Sequence, residues 1–136
     1  MSATGQRPSL LERNKQLVVR WFEEVWNQGK RGTISKLFHE HGVIHDGARD
    51  FRGPRDFFVF YDDLQAQFTD FHITPVVVLA EDDLVCIHWS ADFRHKPSGK
   101  PIHITGTSVV RVDAGRFVEA WQNWDAAALQ AQLSNP

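Results

Sequence analysis

The fold is decided by the stretch I-T-G-T-S-V-V-R-V-D-A-G-R-F-V-E-A-W-Q-N-W-D, residues 104–125. Side chains of the same character tend to recur at every second position on both sides of the turn Asp113-Ala114-Gly115. A period of two is typical of β-strands, and a short turn between two such runs indicates an antiparallel hairpin. The stretch therefore predicts two neighbouring strands of one sheet.

The same period begins at Phe71 and continues to the end of this stretch. It predicts four strands, at 71–80, 84–95, 101–113 and 116–124. Because the turns between them are short, we expect the strands to form an antiparallel meander.

The first half of the chain has helical spacing instead. Ser9 and Glu12 form a capping box, in which each side chain satisfies a free amide at a helix start. The other predicted elements are a helix at 33–38, a strand at 43–46, a helix that begins after Gly53-Pro54 and a last helix at 125–133. Helices first and strands later predict an α+β fold, with helices on one face of a bent antiparallel sheet.

The composition is that of one globular domain. The chain has 136 residues, and we expect a single domain with a core at about 9–133 and a flexible segment at 1–8. The net charge of −2 provides no basic patch for nucleic acid or a membrane surface. No apolar run approaches the roughly 20 residues that span a bilayer, and the first residues lack a secretory signal. We therefore expect a cytoplasmic protein.

Four segments in this order are similar to those of a known family. They are N-K-Q-L-V-V-R-W-F-E-E-V-W-N-Q-G at 14–29, R-G-P-R-D-F at 52–57, I-T-G-T-S-V-V-R-V at 104–112 and G-R-F-V-E-A-W-Q-N-W-D at 115–125. From about residue 12 to residue 133 the chain resembles the SnoaL-like (ester cyclase) branch of the nuclear-transport-factor-2-like superfamily. The resemblance implies a cone-shaped, curved antiparallel sheet wrapped around helices, with an apolar cavity open at one end. It also implies homodimers formed through the outer face of the sheet.

The resemblance also indicates which catalytic groups this chain lacks. Polyketide cyclases of the family use an aspartate on the last strand and a histidine on the strand before it. These positions correspond to Gln122 and Ser108 here. Because an amide cannot transfer a proton near pH 7, proton transfer has to pass through another group.

Two histidines are the candidate catalytic residues, because a neutral imidazole titrates near pH 7. His45 lies where the relatives carry a histidine or asparagine at the cavity mouth, although a purely structural role is an equal alternative. His88 belongs to the polar face of strand 84–92, while Trp89 belongs to its apolar face. Either face could line the cavity, and the related folds favour the polar face.

The predicted ligand-binding residues follow from the same assignment of faces. They are Tyr61, Trp89, Ser108, Gln122 and Trp124. Trp121 alternates with Gln122 along the strand and is predicted to face outward, into the dimer interface. Asp125 is predicted to cap the following helix rather than to act in catalysis.

No metal or other cofactor is expected. His39, His41 and His45 are close in sequence, but the first two are predicted to lie at a helix end, where the helix dipole stabilises a protonated histidine. Cys86 is the single cysteine, which excludes an internal disulfide and a cysteine-based zinc site.

The sequence thus predicts a homodimeric protein whose apolar cavity accepts a small, partly hydrophobic molecule. The enzymatic hypothesis is a cofactor-free cyclase, isomerase or lyase. The alternatives are a non-catalytic ligand-binding protein and a dimerisation module whose cavity is filled by its own side chains.

Overall fold

The computed structural model describes residues 9–135, so the flexible segment expected at 1–8 lies outside the described residues. The helices are α1 (Leu10–Trp21), which continues as a π-helical segment (Phe22–Asn27), α2 (Gly32–Leu37), α3 (Gly53–Gln67) and α4 (Ala126–Ser134). The strands are β1 (Phe38–Asp46), β2 (Arg49–Arg52), β3 (Phe68–Glu81), β4 (Leu84–His95), β5 (Pro101–Asp113) and β6 (Arg116–Trp124).

The six strands form one sheet in the order β2-β1-β6-β5-β4-β3. Strands β3 to β6 pair in sequence as an antiparallel meander, and β1 pairs with β6 in parallel. The predicted meander and the α+β fold class are therefore confirmed. The parallel pair joins the first half of the chain to the end of the meander.

The helix starts have identifiable local causes. The Ser9 side chain accepts a hydrogen bond from the backbone N–H of Glu12 at 3.1 Å, as the capping box predicts. The Asp125 carboxylate accepts one from the backbone N–H of Ala128 at 2.9 Å and so caps α4. Helix α3 begins with Gly53-Pro54 in its first turn, where proline's missing N–H costs no hydrogen bond.

An aromatic core holds the helices against the inner face of the sheet. The Trp21 ring of α1 packs against three phenylalanine rings. The distances between ring centroids are 6.4 Å to Phe38, 5.2 Å to Phe57 and 5.6 Å to Phe117. These partners lie on β1, α3 and β6, so one side chain joins three elements. Such contacts fix the sheet's position over the helices and with it the walls of any cavity between them.

A β-bulge changes the alternation along β6. Arg111 pairs with Glu119 and Val112 pairs with Phe117, which leaves Val118 as the extra residue. Phe117 and Ala120 are therefore both buried. A strict period of two would put Phe117 on the outer face with Glu119 and Trp121, but the bulge shifts the period by one residue.

Among residues 9–135, no helix is both long enough and apolar enough to cross a membrane.

Candidate functional site

An apolar cavity lies between the helices and the inner face of the sheet. Its volume is about 80 Å³. Most of its wall is aromatic, and Gln122 is the one amide side chain in that wall among the described residues. The aromatic lining residues are Phe22, Trp26, Phe60, Phe68, Phe71, Trp89, Phe93 and Trp124. Since a cavity of about 150 Å³ holds one benzene molecule, a ring-sized ligand requires wall residues to move.

A second, more polar pocket of about 210 Å³ adjoins the cavity. It is called the rim pocket here, and its lining residues are Asp46, Gly47, Arg49, Gln122, Asn123, Trp124 and Ala126. Gln122 and Trp124 also line the cavity, so the two spaces share a wall. A ligand that bridges them would meet aromatic rings at one end and polar groups at the other.

Asp46 supplies a buried carboxylate to the rim pocket. It is 6% exposed and stands opposite Gln122 in the parallel β1–β6 pair. Its Oδ1 accepts a hydrogen bond from Trp124 Nε1 at 3.1 Å, and its Oδ2 accepts one from Arg49 Nη2 at 3.3 Å. These two donors offset part of the cost of burying the charge. Within residues 9–135, Asp46 is the one carboxylate that is buried.

Asp46 is not among the site residues predicted from the sequence, although the strand period contains the signal. Ile44 is buried, and residues two apart on a strand share a face. Asp46 therefore follows Ile44 onto the inner face, where a carboxylate stands in place of an apolar side chain.

Four of the predicted ligand-binding residues do lie on the inner face. Ser108 pairs with Gln122 in the β5–β6 register, and both line a small inner pocket of about 30 Å³. Ser108 is buried, and its Oγ accepts a hydrogen bond from Trp89 Nε1 at 3.2 Å. Trp89 and Trp124 line the main cavity. Ser108 therefore holds an indole in place and is not itself in the wall of the main cavity.

His45 does not lie at the cavity mouth, contrary to the prediction. Because its neighbours Ile44 and Asp46 take the inner face, His45 points to the outer face of the sheet. Its Nε2 lies 2.9 Å from Glu119 Oε2 and its Nδ1 lies 2.8 Å from Asp50 Oδ1. The hydrogen bond to Glu119 and, to a smaller extent, the one to Asp50 raise the pKa of His45 above its ordinary value. This histidine is held by two carboxylates and is not among the residues that line the cavity.

His88 is also on the outer face, so its predicted place inside the cone is wrong. The opposite face of β4 carries the buried residues Val85, Ile87, Trp89 and Ala91, which pack against the helices. The ring nitrogen Nδ1 of His88 is 2.8 Å from Thr107 Oγ1 on the neighbouring strand. The apolar face of β4 is the inner face because its side chains are buried in the core.

Tyr61 supports the cavity from behind rather than lining it. Its hydroxyl donates to the backbone oxygen of Val25 at 2.9 Å, and its ring lies 5.2 Å from that of Trp26. Burial raises the pKa of the Tyr61 phenol. Its hydroxyl is thus engaged in the core, and Tyr61 is not among the residues that line the cavity.

The described residues contain no group of three or more His, Cys, Asp and Glu side chains suited to a metal ion. His39 and His41 belong to strand β1 and not to the helix end where they were expected, because α2 already ends at Leu37. His39 Nδ1 accepts a hydrogen bond from the backbone N–H of His41 at 3.0 Å.

Comparison with known proteins places this arrangement in a family. The model of the SnoaL-like polyketide cyclase family matches residues 16–133. No curated protein matches the chain. Among solved structures, a proposed SnoaL-like polyketide cyclase from Jannaschia sp. CCS1 is 20% identical, with a TM-score of 0.85 over 97% of this chain and 99% of that one.

Two further structures are similar. IdmH, a proposed polyketide cyclase from Streptomyces antibioticus, is 25% identical, with a TM-score of 0.80 over 90% of this chain and 99% of its own. A protein with a ketosteroid isomerase-like fold from Catenulispora acidiphila is 17% identical, with a TM-score of 0.79 over 89% of this chain and 94% of that one. The family match covers most of the sequence, and these structures share its fold. The chain belongs to the SnoaL-like polyketide cyclase family.

Proposed function

We propose that this protein is a cofactor-free enzyme of the polyketide cyclase type, in which Asp46 removes a proton from a carbon next to a carbonyl group. The observation that carries the proposal is the buried Asp46 carboxylate in a pocket that adjoins an aromatic cavity. A carboxylate held in a pocket beside an aromatic cavity is placed to accept a proton from a ligand that spans the two spaces. The substrate is a small molecule with an apolar body and an enolisable carbonyl group.

The rim pocket offers a partner for each part of that reaction. Asp46 accepts the proton, and the electron pair of the broken C–H bond forms the carbon–carbon double bond of an enolate. The enolate carbon then attacks a second carbonyl carbon of the same molecule, which forms a ring. Gln122 lines both pockets and can donate a hydrogen bond to a carbonyl oxygen without taking part in proton transfer.

Asp46 replaces the two histidines as the candidate base. His45 and His88 lie on the outer face of the sheet, so neither is in the wall of the cavity or of the rim pocket. Asp46 is on β1 and reaches the same pocket as Gln122, which stands at the family's aspartate position. A carboxylate on a neighbouring strand thereby supplies the function that the amide cannot.

The alternative function is a non-catalytic binding protein for small apolar ligands. It is favoured by the cavity's aromatic wall and by the two hydrogen bonds that already occupy the Asp46 oxygens. The two functions differ in whether a bound ligand loses a proton.

The test is the exchange of enolisable hydrogens for deuterium. Ethyl benzoylacetate combines a phenyl ring with an acidic C–H group between two carbonyls, and NMR in D₂O follows the loss of that signal. We expect the wild-type protein to accelerate exchange, and Asp46→Asn to slow it by about 10²–10⁴-fold, the usual contribution of a general base.

The matched control is Asp50→Asn, a carboxylate on the outer face that bonds to His45. It should exchange the probe as fast as the wild type. Equal rates for the wild type and Asp46→Asn would contradict the proposal and favour the binding protein.

We also propose that two copies pair through the outer face of the sheet. Trp121, Val109, Cys86 and Leu79 are successive cross-strand partners on that face. Leu79 is 62% exposed, so the apolar row is open to solvent at its β3 end. The row supports an apolar contact with a second copy.

A cytoplasmic location is proposed as well. It is supported by Cys86, which is a free thiol and half-buried in this row. Free cysteines are the rule in the reducing cytoplasm.

A further inference from the structure

We propose that Arg49 is a second catalytic residue, which holds the oxygen of the enolate that forms when Asp46 takes the proton. This inference rests on the proposed function and identifies the group that stabilises the developing negative charge. It defines the substrate more closely, since the carbonyl oxygen next to the reacting carbon has to reach the rim pocket.

The β1–β2 hairpin places the two charged groups side by side. Asp46 and Arg49 are cross-strand partners that close a two-residue turn. Gly47 in that turn has φ of 62°, a conformation that favours glycine. Because cross-strand partners point to the same face, the guanidinium follows the carboxylate into the rim pocket.

Two aromatic rings hold the Arg49 guanidinium. Its Cζ lies 5.0 Å from the ring centroid of Phe51 and 5.0 Å from that of Phe60. Cations within about 6 Å of an aromatic face are attracted to it. Phe60 also lines the cavity, so the cation is fixed at the junction between the apolar and the polar space.

The held guanidinium still has donors to offer. One of its nitrogens, Nη2, donates to Asp46, and the side chain is 57% exposed. An arginine has five N–H groups in a planar fork, so donors beyond this contact remain open to a ligand in the rim pocket. The arrangement provides a base and a hydrogen-bond donor whose charge is permanent.

The charges balance through the proton transfer. Before it, the negative charge is on Asp46, paired with Arg49. As the C–H proton moves to an Asp46 oxygen, the C–H electron pair forms the new double bond and the carbonyl electron pair moves to oxygen. The negative charge thereby moves from the carboxylate to the enolate oxygen, and the same cation stays beside it. Donors fixed in advance where charge develops are among the largest contributions to catalysis.

A merely structural Arg49 would act only by holding Asp46. The experiment therefore removes the carboxylate and measures Arg49 directly on a ligand. Asp46→Asn mimics the neutral carboxylic acid that exists after proton transfer. The probe is 5-phenyl-1,3-cyclohexanedione, a cyclic 1,3-dione that is already an enolate at neutral pH, and tryptophan fluorescence reports its binding.

We expect Asp46→Asn to bind this enolate more tightly than the wild type, which has a competing carboxylate. Adding Arg49→Gln should weaken binding to the Asn variant by about 10- to 100-fold, the range for a hydrogen bond to a charged group. Adding Arg49→Lys should retain part of the affinity, because the charge remains. The matched control is Arg52→Gln, an arginine that pairs with Asp50 at 3.3 Å and is 70% exposed.

Equal affinity of the Asp46→Asn protein with and without Arg49→Gln would overturn the inference, and so would an enolate that binds to no variant. The deuterium exchange assay distinguishes a failure of the Arg49 inference from a failure of the proposed function. If Asp46→Asn abolishes exchange but Arg49→Gln leaves both exchange and enolate binding intact, Asp46 is the base and Arg49 has no catalytic role. If the wild type and Asp46→Asn exchange equally, the proposed function itself is wrong.

Discussion

At the scale of single residues, neighbouring positions on β1 lie in two different chemical environments. Asp46 is buried beside an indole and a guanidinium in the rim pocket. His45 has a side chain that is 32% exposed and lies between two carboxylates on the other face of the sheet. Because neighbouring residues of a strand point to opposite faces of the sheet, Asp46 reaches the pocket, whereas His45 reaches the carboxylates on the other side.

The raised pKa of His45 predicts a pH-dependent stability. The folded protein binds the histidine's proton more tightly than the unfolded chain does. The resulting contribution to the free energy of unfolding is complete below about pH 6.5, the ordinary value for histidine, and is lost as the pH rises through the raised pKa. Thermal unfolding between about pH 5.5 and 8.5 measures this loss, and His45→Gln should remove it.

His88→Gln is the control for that experiment, because His88 bonds to the neutral Thr107 hydroxyl and not to a carboxylate. The other charged groups near His45 are Arg52, paired with Asp50, and Arg111, whose Nε is 4.0 Å from Glu119. Both are cations throughout the measured range, so they do not produce the expected change. A pH dependence of His45→Gln parallel to that of the wild type would contradict the prediction.

At the scale of elements, α4 closes one side of the cavity with a single buried residue. Leu129 lines the cavity and is 8% exposed, while the other α4 side chains are more exposed. Helix α4 is therefore held by its cap, by this leucine and by the bonds between Gln132 and the backbone of His103. Since the cavity is smaller than a benzene site, a shift of α4 is one way for it to enlarge.

Loss of the α4 cap should destabilise the helix. Asp125→Ala removes the acceptor for the Ala128 N–H and should lower the free energy of unfolding by about 1 kcal/mol, as measured by urea denaturation. Asp125→Ser retains a capping oxygen and should restore most of the loss. If the Ala and Ser variants are equally destabilised, the cap is not the cause.

The same elements show what the sequence could and could not predict. The meander followed from the period of two, because every strand from β3 to β6 has one face on the core. The inward face of β4 did not follow, because a family tendency favoured His88 while core packing selects Trp89. The rim pocket was missed because Asp46, Arg49 and Gln122 come together only through the β1–β2 turn and the parallel β1–β6 register, which no local pattern encodes.

At the scale of the whole molecule, helices cover one side of the sheet, and nothing within residues 9–135 covers the other side. The outer face mixes apolar residues with polar pairs, such as His103 Nδ1 and Asp92 Oδ1, which are 2.8 Å apart. This composition is typical of an interface in which an apolar row is surrounded by polar groups.

We expect light scattering at micromolar concentration to give twice the 15.6 kDa mass of one chain. Leu79→Glu, which puts a charge in the apolar row, should shift the protein to a monomer with an unchanged circular dichroism spectrum. Val59→Glu is the matched control, because Val59 is also 62% exposed but lies on α3. A monomeric wild type, or an effect of Val59→Glu equal to that of Leu79→Glu, would contradict the proposed dimer.

The parallel pairing of β1 with β6 has a consequence for folding kinetics. The bond between Asp46 and Trp124 joins residues 78 positions apart, whereas the hairpins of the meander close over short loops. Contacts between distant parts of a chain carry a larger loop-closure entropy and slow the folding of the structures that depend on them. During refolding, the rim pocket is therefore expected to form after the meander, so ligand binding should recover later than β-sheet content.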